Sequence, residues 1–189
     1  MDVINRGGGN VRNAAPKMTY GTTDFIKSAR RAFAWLKAGG FGEAATQTKN
    51  NLYGSIAWVG EYAWVRVSWD IHDEALNVAL GPLKKGRQPS PLEERDQEGR
   101  RLVIPLWLLT WVMTSDEAFA RSLTDYSPGT PDAIEDALRR NATALQQFGP
   151  RILDGDFDLL PVIDEADQAR MQANVEGRPW GTPPRFNPA

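Results

Sequence analysis

Residues 62–71 read YAWVRVSWDI. Ala63, Val65, Val67, Trp69 and Ile71 fall on one side of this stretch, and Tyr62, Trp64, Arg66, Ser68 and Asp70 on the other. A two-residue period of this kind is the signature of a β-strand, because successive side chains point to opposite faces. Working outward, His72-Asp73-Glu74 reads as a turn. Residues 75–80 follow as a second strand, with Leu76, Val78 and Leu80 inward and Gly81-Pro82 as its stop. Upstream, residues 43–49 and 55–59 read as two more strands, closed by Asn50-Asn51 and Gly60-Glu61. The connections are too short for parallel crossovers, which need a dozen or more residues, so the pattern predicts an antiparallel meander.

Helical signals flank the meander. Before it, Phe25, Ile26, Ala29, Phe33 and Leu36 recur at helical spacing behind Thr22, Thr23 or Asp24 as N-cap, with Gly39-Gly40 as the end. After it, residues 106–113 read as a short buried helix, and Ser115-Asp116-Glu117 as the cap of another turn. Thr130 with Pro131 opens a helix whose core face is Ile134, Leu138, Ala142 and Leu145. Between the halves, residues 84–101 (KKGRQPSPLEERDQEGRR) read as a charged loop that projects from the body or forms a further short strand. The expected fold class is α+β, an antiparallel sheet of four to five strands against helices from both ends of the chain. The expected organisation is a disordered N-terminal tail (1–20), a single domain (21–176) and a flexible Pro-rich tail (177–189).

The composition excludes several function classes. The 189 residues include no cysteine and one histidine. Disulfide scaffolds, thiolate zinc sites, iron–sulfur clusters, cysteine nucleophiles and multi-histidine metal sites are therefore ruled out. Neither a glycine-rich phosphate loop nor a nucleophile elbow occurs, and no cofactor is expected. The most apolar run, residues 102–113, is broken by Pro105 and is shorter than the roughly 20 residues of a membrane span. The first twenty residues lack an apolar stretch, which makes cytoplasm the expected location. Net charge is −2, unevenly spread. Residues 1–40 hold seven Lys/Arg against two acids, while 102–189 hold seven against thirteen. With a pI of about 5.5, nucleic acid is not the expected partner.

Four constellations bear on function. The Tyr62, Trp64, Arg66, Ser68 face combines residue types enriched at binding hot spots. Either the protein's own helices cover it, or it meets a partner. Asp154, Asp156, Asp158 and Glu165 have the carboxylate spacing of a calcium loop, but Leu159 stands where that loop needs glycine and Pro161 interrupts it. They are metal candidates against a plainer reading in which Asp164, Glu165 and Asp167 complement a helix start. His72 beside Asp70 has the makings of an oriented base, or of a solvated turn. Lys27, Arg30, Arg31 and Lys37 form a basic helix face, extended by Arg6, Arg12 and Lys17, that would suit phosphates if left unpaired.

A helix, then an aromatic-rich meander, then a helical half with Leu153-Asp154-Gly155-Asp156-Phe157 is a layout that resembles small bacterial α+β proteins, including immunity proteins of toxin systems. The resemblance implies a protein that neutralises a toxin by binding it. The expected function is accordingly a non-catalytic protein-binding module acting by steric masking through the Tyr62/Trp64/Arg66/Ser68 face. The alternatives are a metal-ion or small-ligand domain using residues 154–165 and a nucleic-acid-associated protein using the first helix.

Overall fold

The computed structural model describes residues 20–50, 52–70, 72–73, 75–90, 93–124 and 130–185. Residues 1–19 of the expected N-terminal tail, including Arg6, Arg12 and Lys17, lie outside the described residues, as do 125–129. The sheet is the expected meander: β1 (Gly42–Lys49), β2 (Tyr53–Val59), β3 (Ala63–Asp70), β4 (Ala75–Pro82) and a two-residue β5 (Ile104–Pro105), ordered β1-β2-β3-β4-β5 with every neighbour antiparallel. The short fifth strand lies beyond the charged loop rather than within it.

Register divides the residues of the sheet into two faces. Val65 stands between Trp58 and Leu80, Val67 between Ile56 and Val78, and Trp69 between Gly54 and Leu76. This first face is buried in the main core. Helix α1 (Thr22–Ala32) lies across it, with Phe25 at 5.5 Å from Trp69 and Phe33 stacked on Trp58 at 5.7 Å. Tyr20 also packs edge-on against Trp69, so the domain begins at least one residue before the expected boundary.

The helical signals hold with adjustments. The first helix is two, α1 and α2 (Trp35–Ala38), because a turn at Phe33-Ala34 lets Phe33 and Leu36 both bury completely. Gly21, not a threonine or aspartate, is its N-cap. Helices α3 (Leu106–Thr114), α4 (Glu117–Ser122), α5 (Pro131–Phe148), α6 (Pro150–Leu153) and α7 (Leu160–Val175) complete the fold. Asp116 caps α4 by accepting from Phe119 N at 2.8 Å, and Thr130 caps α5 by accepting from Ala133 N at 3.2 Å. Ile134, Leu138, Ala142 and Leu145 are all buried. Helix α5 packs on α1 and α3, and α7 on α3.

Two segments expected to be loose are tied down. The 84–101 loop does not project. Leu102 N donates to Glu94 O at 2.7 Å, and Pro89 is buried. Arg95 and Arg101 reach α7, where Arg95 grips Asp164 with both amino groups (2.9 and 2.7 Å) and Arg101 bonds Asp164 (2.5 Å) and Asp167 (2.7 Å). Of the charges that suggested a solvated excursion, Arg95 and Arg101 are paired with the body, while Lys84 with Glu93 and Arg100 with Asp96 and Glu98 pair within the loop. The C-terminal stretch is likewise anchored at Trp180. Trp180 is buried against Trp107 and Trp111, with ring centroids 5.4 and 5.3 Å apart. Its Nε1 donates to Asn174 Oδ1 at 3.0 Å, its backbone N donates to Glu117 at 2.9 Å, and Arg121 lies 4.1 Å over its ring. Among the described residues, no helix is long and apolar enough to cross a membrane.

Candidate functional site

The second sheet face carries Trp64, Arg66, Ser68 and Asp70 from β3, opposite Val59, Ala57, Ser55 and Tyr53 of β2 and Gly81, Ala79, Asn77 and Ala75 of β4. Small neighbours flank the two large side chains, leaving them room to lie along the sheet. Neither helix coverage nor full exposure describes this face. Its Trp64 end is roofed by the folded-back loop. Trp64 is completely buried and donates from Nε1 to Pro82 O at 3.1 Å. The roof approaches so closely that a Cβ on Gly81 would stand 2.2 Å from Leu102 O. Trp64 is thus a support and not a contact residue, which corrects its place in the expected partner surface.

Arg66 is different. Its guanidinium carbon sits 5.4 Å from the Trp64 ring centroid, a cation–π arrangement that holds the group in place. It is half-buried, and burial pushes its pKa below the ordinary value, with nearby Tyr53 opposing. It borders a hollow of about 80 Å³ whose other walls include Ala45, Gln47, Tyr53, Ser55 and Ala57, with Gln88 and Pro89 of the loop as rim. None of these wall residues is charged. Among the described residues, no carboxylate pairs with Arg66.

The hollow extends over β1, where Ala45 and Gln47 line it. That strand is exposed along its whole length and pairs only with β2, so its outer edge is free among the described residues. Glu43 and Lys49, with a register shift between Glu43 and Ala45, are the devices that keep such an edge from indiscriminate pairing. The other members of the expected surface are separated from the hollow. Tyr62 is exposed and packs over Gly155, where an added Cβ would come within 2.8 Å of the ring. Ser68 lies one row beyond Arg66, cross-strand from Ser55.

The remaining candidates come out as structural features. Among the described residues, no group of three or more potential ligands comes together to hold a metal. Asp156 is bound by Arg151, whose hydrogen bond holds its carboxyl below the ordinary range, and Asp156 also accepts from Asp158 N at 3.2 Å. Asp154, Asp158 and Glu165 are exposed. The helix-start reading needs correcting too. Helix α7 begins at Leu160 with no acid in its first turn, and Asp164 and Asp167 serve as the arginine receptors of the loop. His72 is exposed in a turn where Asp70 Oδ1 accepts from the backbone N of His72 (2.9 Å) and Asp73 (3.3 Å). That carboxylate organises the turn and does not orient the imidazole. On α1, Arg30 pairs with Glu43 at 2.7 Å, Arg31 with Glu135 at 2.6 Å and Lys27 with Asp24 at 3.6 Å, so much of the basic face is neutralised.

No family model matches the chain, and no curated protein or solved structure is similar to it at a significant level. Sequence reading found Arg66 from its strand position. It missed Tyr53, Gln47 and Ala45, which join the site only through the β1–β2–β3 register.

Proposed function

We propose that this protein is a non-catalytic binding module that engages another protein through the part of the second sheet face between Arg66 and the free edge of β1. The observation that carries the reading is Arg66, half-buried, braced on Trp64 and, among the described residues, lacking a carboxylate partner beside a hollow walled by uncharged side chains. A desolvated arginine without a counter-ion is unfavourable for the isolated chain and becomes favourable once a partner supplies the missing acceptors. Masking a toxin, as immunity proteins do, is the specific form that the resemblance in layout favours. The acidic second half would then steer a basic partner into place.

The test compares wild type with Arg66→Gln, both verified as folded by circular dichroism, as immobilised baits in a lysate of the source organism at physiological salt. A protein retained in near-equal amount by wild type and lost with Arg66→Gln supports the reading. Equal retention by both baits refutes this face as the interface. A folded wild-type bait that retains nothing refutes the binding-module reading.

A further inference from the structure

Arg66 stands apart from the other arginines of the described residues. Arg30, Arg31, Arg95, Arg101 and Arg170 each hold a carboxylate. Arg87 and Arg185 are exposed, so water solvates them. Among the described arginines, only Arg66 combines partial burial with the lack of an ionised partner among the described residues. The nearest acid along its own strand face, Asp70, is four residues away and has its Oδ1 committed to the turn.

The row containing Arg66 shows what would reach it. Across the sheet it runs Arg66, Ala57, Ala45, and then the open edge. Two methyl side chains in succession leave a trough with the guanidinium at its inner end. The next row, Ser55 and Gln47, places a hydroxyl and a carboxamide along the trough wall. One guanidinium with neutral donors beside it suits a monoanion, and its planar fork matches the two oxygens of a carboxylate. A phosphate dianion would call for more than one cation. Size points the same way. About 80 Å³ accommodates the tip of one side chain and falls far short of the roughly 300–1,000 Å³ of small-molecule pockets.

We infer that the Arg66 trough is a carboxylate subsite that receives an aspartate or glutamate side chain of the bound protein. This rests on the protein-binding reading above and names the group recognised. The trough is open at the strand edge, so the acid enters from a chain lying against β1 and the carboxylate ends on Arg66 with Trp64 behind it.

The experiment follows the Arg66 Nε–H by ¹⁵N NMR while titrating blocked peptides. The probe is acetyl-Ala-Glu-Ala-Glu-Ala-amide, and the control is the same peptide with Gln for Glu. A saturable shift with the Glu peptide alone is expected. It should be absent in Arg66→Gln and weakened about tenfold or more in Ala45→Glu, where an internal carboxylate fills the trough. Ala45 is exposed, so this second variant keeps the fold. No saturable shift at tens of millimolar peptide overturns the inference, as does an equal response to the Gln peptide. A response only to inorganic phosphate, or only to tetra-alanine with a free C-terminus, also overturns it. An Arg66-dependent protein partner without any carboxylate response defeats the subsite and leaves the binding module standing. A peptide response without any protein partner does the reverse.

Discussion

Replacing Trp180 with alanine tests whether the C-terminal stretch is part of the fold. Trp180 is 7% exposed, lies against Trp107 and Trp111, and has Arg121 over its ring. A buried indole covers on the order of 200 Å², so its transfer from water contributes about 4–5 kcal/mol gross. Only part of that can be lost. The residues around Trp180 end the described chain, and once the indole is gone they detach instead of enclosing a cavity. Detachment returns the ordering entropy of the few residues it holds, about 1 kcal/mol each. The expected loss is therefore about 2–3 kcal/mol, a fall in Tm of about 4–12 °C for a chain of this size. Chemical and thermal unfolding with far-UV circular dichroism measures it, alongside a chain ending at Glu176. The two variants should agree within about 0.5 kcal/mol, because both undock the same stretch. A Trp180→Ala loss below about 0.5 kcal/mol would show that the stretch contributes nothing and would refute the argument.

Three further outcomes follow from the same geometry. Gly81→Ala should destabilise by about 3 kcal/mol in urea melts, since its Cβ would meet Leu102 O at 2.2 Å and two backbones would have to part; Gly42→Ala, with nothing within 4 Å, should be near neutral. Trp64→Ala should cost about 3–5 kcal/mol, whereas Arg66→Gln should stay within about 1 kcal/mol of wild type, separating the support from the contact residue in one denaturant series. For Asp164 and Asp167, burial pushes the carboxyls up, yet the hydrogen bonds from Arg95, Arg101 and Arg170 outweigh it and hold both below the ordinary 3.8. Their contribution is present in full above the unfolded carboxyl range and is lost as pH falls through the lowered values. Stability should hold from pH 7 to about 5 and fall below about 4. Asp164→Asn should flatten that fall and speed tryptic cleavage after Lys84, Lys85 and Arg87.

The central strand β3 was legible because period two survives where one sheet face meets a core, as Val65, Val67 and Trp69 do. The caps at Asp116 and Thr130 were legible because a short polar side chain before a helical run has one favourable local use. What escaped was long-range. Arg95 and Arg101 meet their acids more than sixty residues away, and local composition reads a stretch of alternating charges as solvated whether or not it is paired. Trp180 sits among prolines and glycines that locally signal a tail, and only Trp107 and Trp111 make it a core residue. The candidate site was half legible. The strand pattern isolated Arg66, but its partners Ala57 and Ala45 are ordinary alanines until register aligns them.

The order in which contacts become possible during synthesis follows from the meander. Each of the first four strands pairs with its neighbour in sequence, so the sheet can assemble as soon as residue 82 has left the ribosome. Helix α1 is then already present to cover part of the first face, but α3 and α6, which pack on β4, are not yet made, and α5, tied to α1 through Ser28 and Glu135, comes 107 residues after its partner. The charged loop cannot latch until α7 exists, and Trp180 docks last of all. A nascent chain of this protein thus carries a partly open Trp-rich sheet while residues 83–175 are being made. Holdase chaperones should bind it most strongly in the interval between the completion of β4 and the arrival of α7.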